Sequence, residues 1–185
     1  MGSVVNLVVV GGLPAVTVEA VSSRSGVAKT TIYRHWSSRE DLLADVLSSA
    51  LPEPATPDTG SLRGDLRALA RGLAAGLADE RCAALLSAIA FPDGDPVLDR
   101  VRMEATRARH GAVRLVVDRA RRRGEEVPVD GPDGVIRSIA GPLFYRRFVE
   151  GVPPTPALAD RCVERALHRS ATRASGADTC TGARH

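Results

Sequence analysis

The sequence predicts an all-α protein, because its apolar residues recur at helical spacing and rarely alternate as they would along a strand. Proline-rich breaks lie at residues 52–57, 128–132 and 152–156, and between them leucine, valine and alanine return every three or four positions. Apolar residues make up 44% of the chain and aromatic residues only 3%, so an aliphatic core is expected. This composition argues against a disordered chain.

The first proline-rich break divides the chain into two predicted domains. Residues 1–51 form the first, and residues 61–170, which carry several helical apolar stripes, form the second. After about residue 170 the chain becomes small and polar, so we expect residues 171–185 to be a disordered tail. Residues 4–10 are rich in the β-branched residue valine and suit a strand on propensity alone, so a strand remains an alternative to a helix there.

Composition also excludes several classes of protein. No apolar run approaches the roughly 20 residues that span a bilayer, and a signal peptide fits the N-terminus poorly. The 3 cysteines are odd in number and widely spaced, so we expect a cytoplasmic protein with neither disulfides nor a metal site. No nucleophile elbow, phosphate-binding glycine loop or metal-ligand cluster is present in the sequence. We therefore expect no catalytic residues and no cofactor, and a net charge of +3 slightly favours anionic partners.

Residues 17–43 have the pattern of two short helices joined by a tight turn. Thr17 suits the N-cap of the first helix, where its hydroxyl accepts a bond from a backbone N–H. Gly26 falls where the turn requires a positive φ, which glycine adopts at least cost. Val27 is predicted to fill the space between the two helices. This arrangement is typical of a helix-turn-helix.

The second helix, predicted over residues 28–35, carries a polar face of unusual composition. Ile32 and Trp36 are expected to point inward. The outward side chains are Lys29, Thr30, Thr31, Tyr33, Arg34 and His35. Cations attract phosphates and donate to guanine edges, and hydroxyls donate to phosphate oxygens. No carboxylate interrupts residues 24–39, so the face suits double-stranded DNA.

A further helix is predicted to begin directly after this segment. Ser37 with Glu40, or Ser38 with Asp41, would form a capping box at its start. The N-terminus of that helix presents N–H groups and a positive dipole end to a phosphate. Arg39, in the first turn, is predicted to strengthen the same contact.

Residues 17–43 closely resemble the DNA-binding signature of the TetR family of transcriptional regulators. The matching positions are Gly26-Val27, Tyr33, Trp36, the Ser-basic-acid pattern at 38–40, and Leu42-Leu43. The resemblance implies that the groove-facing residues are Lys29, Thr30, Thr31 and Arg34. It implies that the phosphate-facing residues are Thr17, Tyr33, His35 and Arg39.

Two departures from the family pattern leave a second function open. The segment before the helix-turn-helix is shorter than usual, as a misplaced start codon would make it, and Ala28 stands where a Ser or Thr cap is common. The loss of such a cap lowers the stability of the helix by about 1 kcal/mol. The alternative is a dimeric small-molecule-binding protein whose DNA binding is weakened or lost.

The remainder of the chain resembles the family's C-terminal domain for dimerisation and ligand binding. Two final helices with apolar faces are expected to pair with those of a second copy. The resemblance implies a homodimer that represses transcription from a pseudo-palindromic operator and is released by a small-molecule effector. Candidate residues lining the effector pocket are Phe91, Met103, His110, Phe144 and Tyr145.

Overall fold

The computed structural model describes residues 2–11, 15–51, 53–90 and 96–177, and every regular element within these ranges is a helix. The all-α prediction is confirmed. The helices, in chain order, are α1 (Gly2–Gly11), α2 (Val18–Ser25), α3 (Lys29–His35), α4 (Arg39–Ala50), α5 (Leu62–Ala78), α6 (Glu80–Ala90), α7 (Pro96–Arg122), α8 (Gly131–Phe148) and α9 (Pro156–Ala177).

The chain divides into two compact units. The first contains residues 1–53 and 79–107, and the second contains residues 54–78 and 108–185. Residues 79–107, which the sequence predicts to be part of the second domain, belong to the first compact unit. The reason is packing: α6 has a buried aliphatic face, and α1 packs against it. Periodicity reveals such a face but does not reveal which helix covers it.

Residues 4–10 lie in helix α1, so the alternative of a strand there is wrong. Val4 and Leu7, one turn apart, are buried, while Val10 is exposed. The helix packs against α2, α4 and α6. Burial on one face outweighs the low helix propensity of valine, which costs only a few tenths of a kcal/mol per residue.

In the second unit α5, α8 and α9 pack against one another. Leu66, Leu77, Leu143 and Val163 are fully buried among their aliphatic neighbours. The last helix, α9, continues to Ala177, past the point near residue 170 where the sequence predicts a polar tail. Alanine and arginine are good helix formers, so this small polar composition still permits a helix. Residues 178–185 lie outside the described part of the chain.

One charged cluster, which we call the linker clasp, ties the segment before α5 to the end of α7. Oδ1 of the fully buried Asp65 accepts hydrogen bonds from the N–H of Thr59 at 2.6 Å and its hydroxyl at 2.8 Å. Glu125 accepts from the N–H of Leu62 at 2.8 Å. The members of the linker clasp are Asp58, Asp65, Arg119, Arg123 and Glu125.

The described residues contain neither a membrane-spanning helix nor a cluster of metal ligands. Among the helices of residues 2–11, 15–51, 53–90 and 96–177, none has both the length and the apolar character needed to cross a bilayer. No three His, Cys, Asp or Glu side chains in these ranges converge as metal ligands would.

Candidate nucleic-acid interface

The start of the helix-turn-helix forms as the sequence predicts. Thr17 has extended backbone at φ −110°, and its hydroxyl oxygen accepts a hydrogen bond from the N–H of Ala20 at 3.1 Å. Gly26 follows α2 as its C-cap, and its φ of +71° is the left-handed conformation that glycine tolerates best. Its N–H donates to the carbonyl of Ser22 at 3.0 Å.

The turn between α2 and α3 is closed by serines rather than by an apolar plug. Val27 is 41% exposed, so the prediction that it fills the space between the helices is wrong. The hydroxyl of Ser22 donates to the carbonyl of Val27 at 2.8 Å, and the N–H of Val27 donates to the hydroxyl of Ser25 at 3.2 Å. The sequence signal that could have indicated this closure is the presence of serines close to a helix end, where their hydroxyls often bond to nearby backbone.

Helix α3 is anchored by one buried residue and one half-buried ring. Ile32 is buried, as predicted. Trp36 is only half-buried, and its indole N–H donates to the Asp45 carboxylate of α4 at 3.0 Å. The prediction that Trp36 points inward therefore holds for only part of its ring. The indole N–H needs a hydrogen-bond partner, so that edge of the ring stays beside a polar side chain. Ala28 occupies the N-cap and makes no side-chain cap bond.

The polar face of α3 is open to solvent. Thr31 is half-buried, and the exposed members are Lys29, Thr30, Tyr33, Arg34 and His35. Helix α3 itself carries no acidic residue. The structure thus brings these side chains together on one short helix, which is what groove binding requires. Their contact with DNA stays a prediction.

One carboxylate that sequence reasoning missed lies against this face. Glu19, on α2, accepts a hydrogen bond from the ammonium of Lys29 at 2.9 Å. This contact, with the charge of Lys29, lowers the pKa of the Glu19 carboxyl below its ordinary value. Residues 24–39 contain no acidic residue. The turn folds α2 back against α3, however, and so places Glu19, which precedes this segment, beside Lys29.

Arg39 makes a contact that the sequence did not indicate. Its Nε donates to the carbonyl of Val16 at 2.5 Å, a partner 23 residues away. Ser38 is the N-cap of α4, and its hydroxyl accepts from the N–H of Asp41 at 3.0 Å. The hydroxyl of Ser37 donates to the Asp41 carboxylate, and hydrogen bonds from Ser37 and then Ser38 to this carboxylate lower its pKa. Arg39 therefore joins the start of α4 to the residue before Thr17, and its phosphate contact stays a prediction.

The candidate pocket residues have different surroundings. Phe91 lies outside the described residues. Met103, in the first unit, is 47% exposed, and Tyr145, in the second, is 56% exposed. Phe144 is half-buried with its ring centroid 5.5 Å from that of Phe148, and Nδ1 of His110 lies 3.1 Å from the Asp133 carboxylate. The effector pocket stays a prediction.

Comparison with known proteins places this helix-turn-helix in a family. The model of bacterial regulatory proteins of the tetR family matches residues 5–46, and the model of the tetracyclin repressor-like C-terminal domain matches residues 56–166. The chain belongs to the TetR family. It is thus a transcriptional regulator with a helix-turn-helix DNA-binding domain, as the sequence resemblance indicated.

Relatives and solved structures of TetR-family regulators agree with this assignment. An uncharacterised HTH-type transcriptional regulator of Mycobacterium tuberculosis is 25% identical over 167 residues, which cover 89% of this chain and 82% of the relative. A TetR-family regulator of Mesorhizobium loti has the same fold, with a TM-score of 0.69 at 21% identity over 90% of this chain and 92% of its own. The flavonoid-responsive regulator FrrA also shares the fold, with a TM-score of 0.69 at 22% identity over 93% of each chain.

Proposed function

We propose that this TetR-family regulator is a repressor that binds a pseudo-palindromic operator as a homodimer and leaves it when a small molecule binds the second unit. The observation that carries the proposal is the solvent-exposed polar face of α3, with Lys29 and Arg34 among hydroxyl-bearing side chains. A helix with such a face enters the major groove, where Lys and Arg donate to guanine O6 and N7.

Phosphate contacts are expected around this helix. Thr17 uses its oxygen to cap α2, which leaves the hydroxyl proton for a phosphate oxygen. Tyr33 and His35 are exposed on α3, and their polar ends reach phosphates while their rings pack on sugars. Such contacts position the protein on the duplex, and base contacts give specificity.

An exposed apolar patch in the second unit supports the homodimer. Tyr145 and Val149 lie one turn apart at the end of α8 and are 56% and 66% exposed. A second copy of the chain is the occupant that fits, because one reading helix contacts too few base pairs. Two copies related by a twofold axis reach half-sites about 34 Å apart.

Release by an effector is supported by the fold and by one structural relative. FrrA is flavonoid-responsive, so a planar polyphenol is a reasonable first probe for this chain. We expect the ligand to bind best to a dimer in which the two α3 helices are too far apart or too close together for the operator. Ligand binding then lowers the affinity for DNA, and DNA lowers the affinity for the ligand by the same factor.

The test of DNA binding is an electrophoretic shift assay with the DNA upstream of the chain's own gene. We expect saturable binding that weakens as salt rises, because phosphate contacts release counterions. Lys29→Ala combined with Arg34→Ala should abolish it. The matched control is Arg102→Ala with Arg121→Ala, which removes the same charge from arginines that pair with Asp99 and Asp118 within α7.

Two outcomes contradict the proposal. If both double variants weaken binding equally, the polar face of α3 has no special role in it. If the wild-type chain gives no shift even at low salt, the protein is better described as the alternative, a dimeric ligand-binding protein without DNA binding.

A further inference from the structure

The ion pair between α2 and α3 involves the single lysine of the sequence. The ammonium of Lys29 donates to Glu19 at 2.9 Å, and the two side chains are 51% and 64% exposed. An exposed pair of this kind adds little to folding stability. Its position, at the first residue of α3, instead makes it relevant to how that helix meets DNA.

A lysine that is paired with a carboxylate binds charged acceptors, such as phosphate oxygens, less well than neutral acceptors on a base edge. A phosphate oxygen carries charge, so a phosphate bound to Lys29 would share one ammonium with Glu19, and the repulsion between the two anions offsets the attraction. Guanine O6 and N7 are neutral acceptors and cause no such repulsion. An ammonium has three N–H donors, so two remain for a base edge while one stays on Glu19.

We propose that Glu19 is a specificity-determining residue that keeps Lys29 out of sequence-independent phosphate binding and leaves it for base edges. This inference rests on the proposed function, because it requires α3 to enter a DNA groove. Phosphate contacts supply most non-specific affinity. A carboxylate that cancels one of them therefore raises the ratio of specific to non-specific binding without adding a contact to the operator.

The first measurement is the affinity for a duplex of arbitrary sequence as salt concentration is varied. Glu19→Gln should steepen the slope of log K against log salt by about 0.9, the contribution of one phosphate, and raise the affinity about fivefold to tenfold near ~0.1 M salt. The matched control is Glu104→Gln, which removes an equal charge from an exposed site on α7 of the first unit. The control should leave the slope unchanged.

A second set of variants assigns the added contact to Lys29. Lys29→Gln should change the slope little in the wild-type chain and should return the Glu19→Gln slope to the wild-type value. Arg34→Gln should reduce the slope by about 0.9 in both backgrounds, because on an arbitrary duplex, which does not offer its operator base, Arg34 is expected to bind a phosphate whether or not Glu19 is present. Glu19→Asp keeps the charge and should behave like the wild type.

The third measurement concerns specificity. The probe is the duplex that the wild-type chain enriches from a random-sequence pool, and its affinity is compared with that of the arbitrary duplex. In Glu19→Gln this ratio should fall about fivefold. With lysine labelled in 13C, only Lys29 gives side-chain signals, and these should shift on addition of arbitrary duplex in Glu19→Gln but not in the wild type.

Failure of this inference is distinguishable from failure of the proposed function. If the wild type binds DNA and Arg34→Gln weakens the binding, but Glu19→Gln behaves like Glu104→Gln, the role of Glu19 is overturned alone. The role of Glu19 is also overturned if Lys29→Gln, made in the wild-type chain, lowers the slope of log K against log salt by about 0.9, the contribution of one phosphate. If the wild type binds neither duplex, both proposals are wrong.

Discussion

At the scale of single residues, short polar side chains hold the ends of the helix-turn-helix. Thr17 caps α2 and Ser38 caps α4, whereas Ala28 leaves α3 without a side-chain cap bond. The first N–H groups of a helix have no partner within the helix. The start of α3 is therefore the weakest of the three, and a hydroxyl there would improve it.

We expect Ala28→Ser to raise the free energy of unfolding by up to about 1 kcal/mol, because serine supplies the missing cap. Thr17→Ala should lower it by about the same amount, since it removes the bond to the N–H of Ala20. Urea denaturation followed by circular dichroism measures both, with Thr17→Ser as the control that keeps the hydroxyl. An unchanged midpoint for Thr17→Ala would show that the bond contributes nothing.

At the scale of the elements, the linker clasp joins segments that are far apart in sequence. Leu62 and Glu125 are 63 residues apart. The bond from the N–H of Leu62, followed by the bond from Arg123, lowers the pKa of the Glu125 carboxyl below its ordinary value of 4.5. A lowered pKa means that the folded state favours the carboxylate, so its contribution is present above pH 4.5 and is lost as the pH falls through the depressed value.

Replacement of Glu125 by Gln should therefore change how stability depends on pH. Near neutral pH the variant should be less stable than the wild type, and the difference should shrink as the pH falls below about 4.5. The stability difference is measured from the urea midpoints of the two proteins between about pH 3 and 7. The neighbouring Glu126, which is exposed, provides the control: Glu126→Gln should follow the wild-type curve. Parallel curves for wild type and Glu125→Gln would contradict the prediction.

The buried carboxylate of the linker clasp should matter more for stability than the exposed one. Asp65→Ala removes the acceptor for both the N–H and the hydroxyl of Thr59, and we expect a loss of about 2 kcal/mol in the free energy of unfolding. Asp58, 63% exposed, is the matched carboxylate, and Asp58→Ala should cost less than about 0.5 kcal/mol. Equal urea midpoints for the two variants would show that burial of Asp65 has no energetic consequence.

At the scale of the whole molecule, the proposed repressor works only as a pair of chains. The patch of Tyr145, in the last turn of α8, and Val149, the residue after that helix, is expected to meet a second copy. Val149→Arg should give a monomer in size-exclusion chromatography with light scattering, because it brings a charge into an apolar interface. Val129→Arg is the control, at a residue 64% exposed before α8. A wild-type chain that elutes as a monomer would contradict the homodimer itself.

The sequence by itself determined the features that depend on near neighbours. The Thr17 cap, the positive φ of Gly26 and the start of α4 at Ser38 involve partners three or four residues away, so local residue order is sufficient to predict them. The polar face of α3 follows from helical periodicity for the same reason. The resemblance to the TetR family was likewise visible in the local residue order of positions 17–43.

Only the tertiary structure decided the features whose partners come from elsewhere in the chain. These include the packing of residues 79–107 with the N-terminal helices, the bond from Arg39 to Val16 and the pair of Glu19 with Lys29. Periodicity shows that a face is buried and composition shows that a charge is present, but neither specifies the partner. The folded chain selects that partner through burial and geometry, which for α3 placed a carboxylate beside its only lysine.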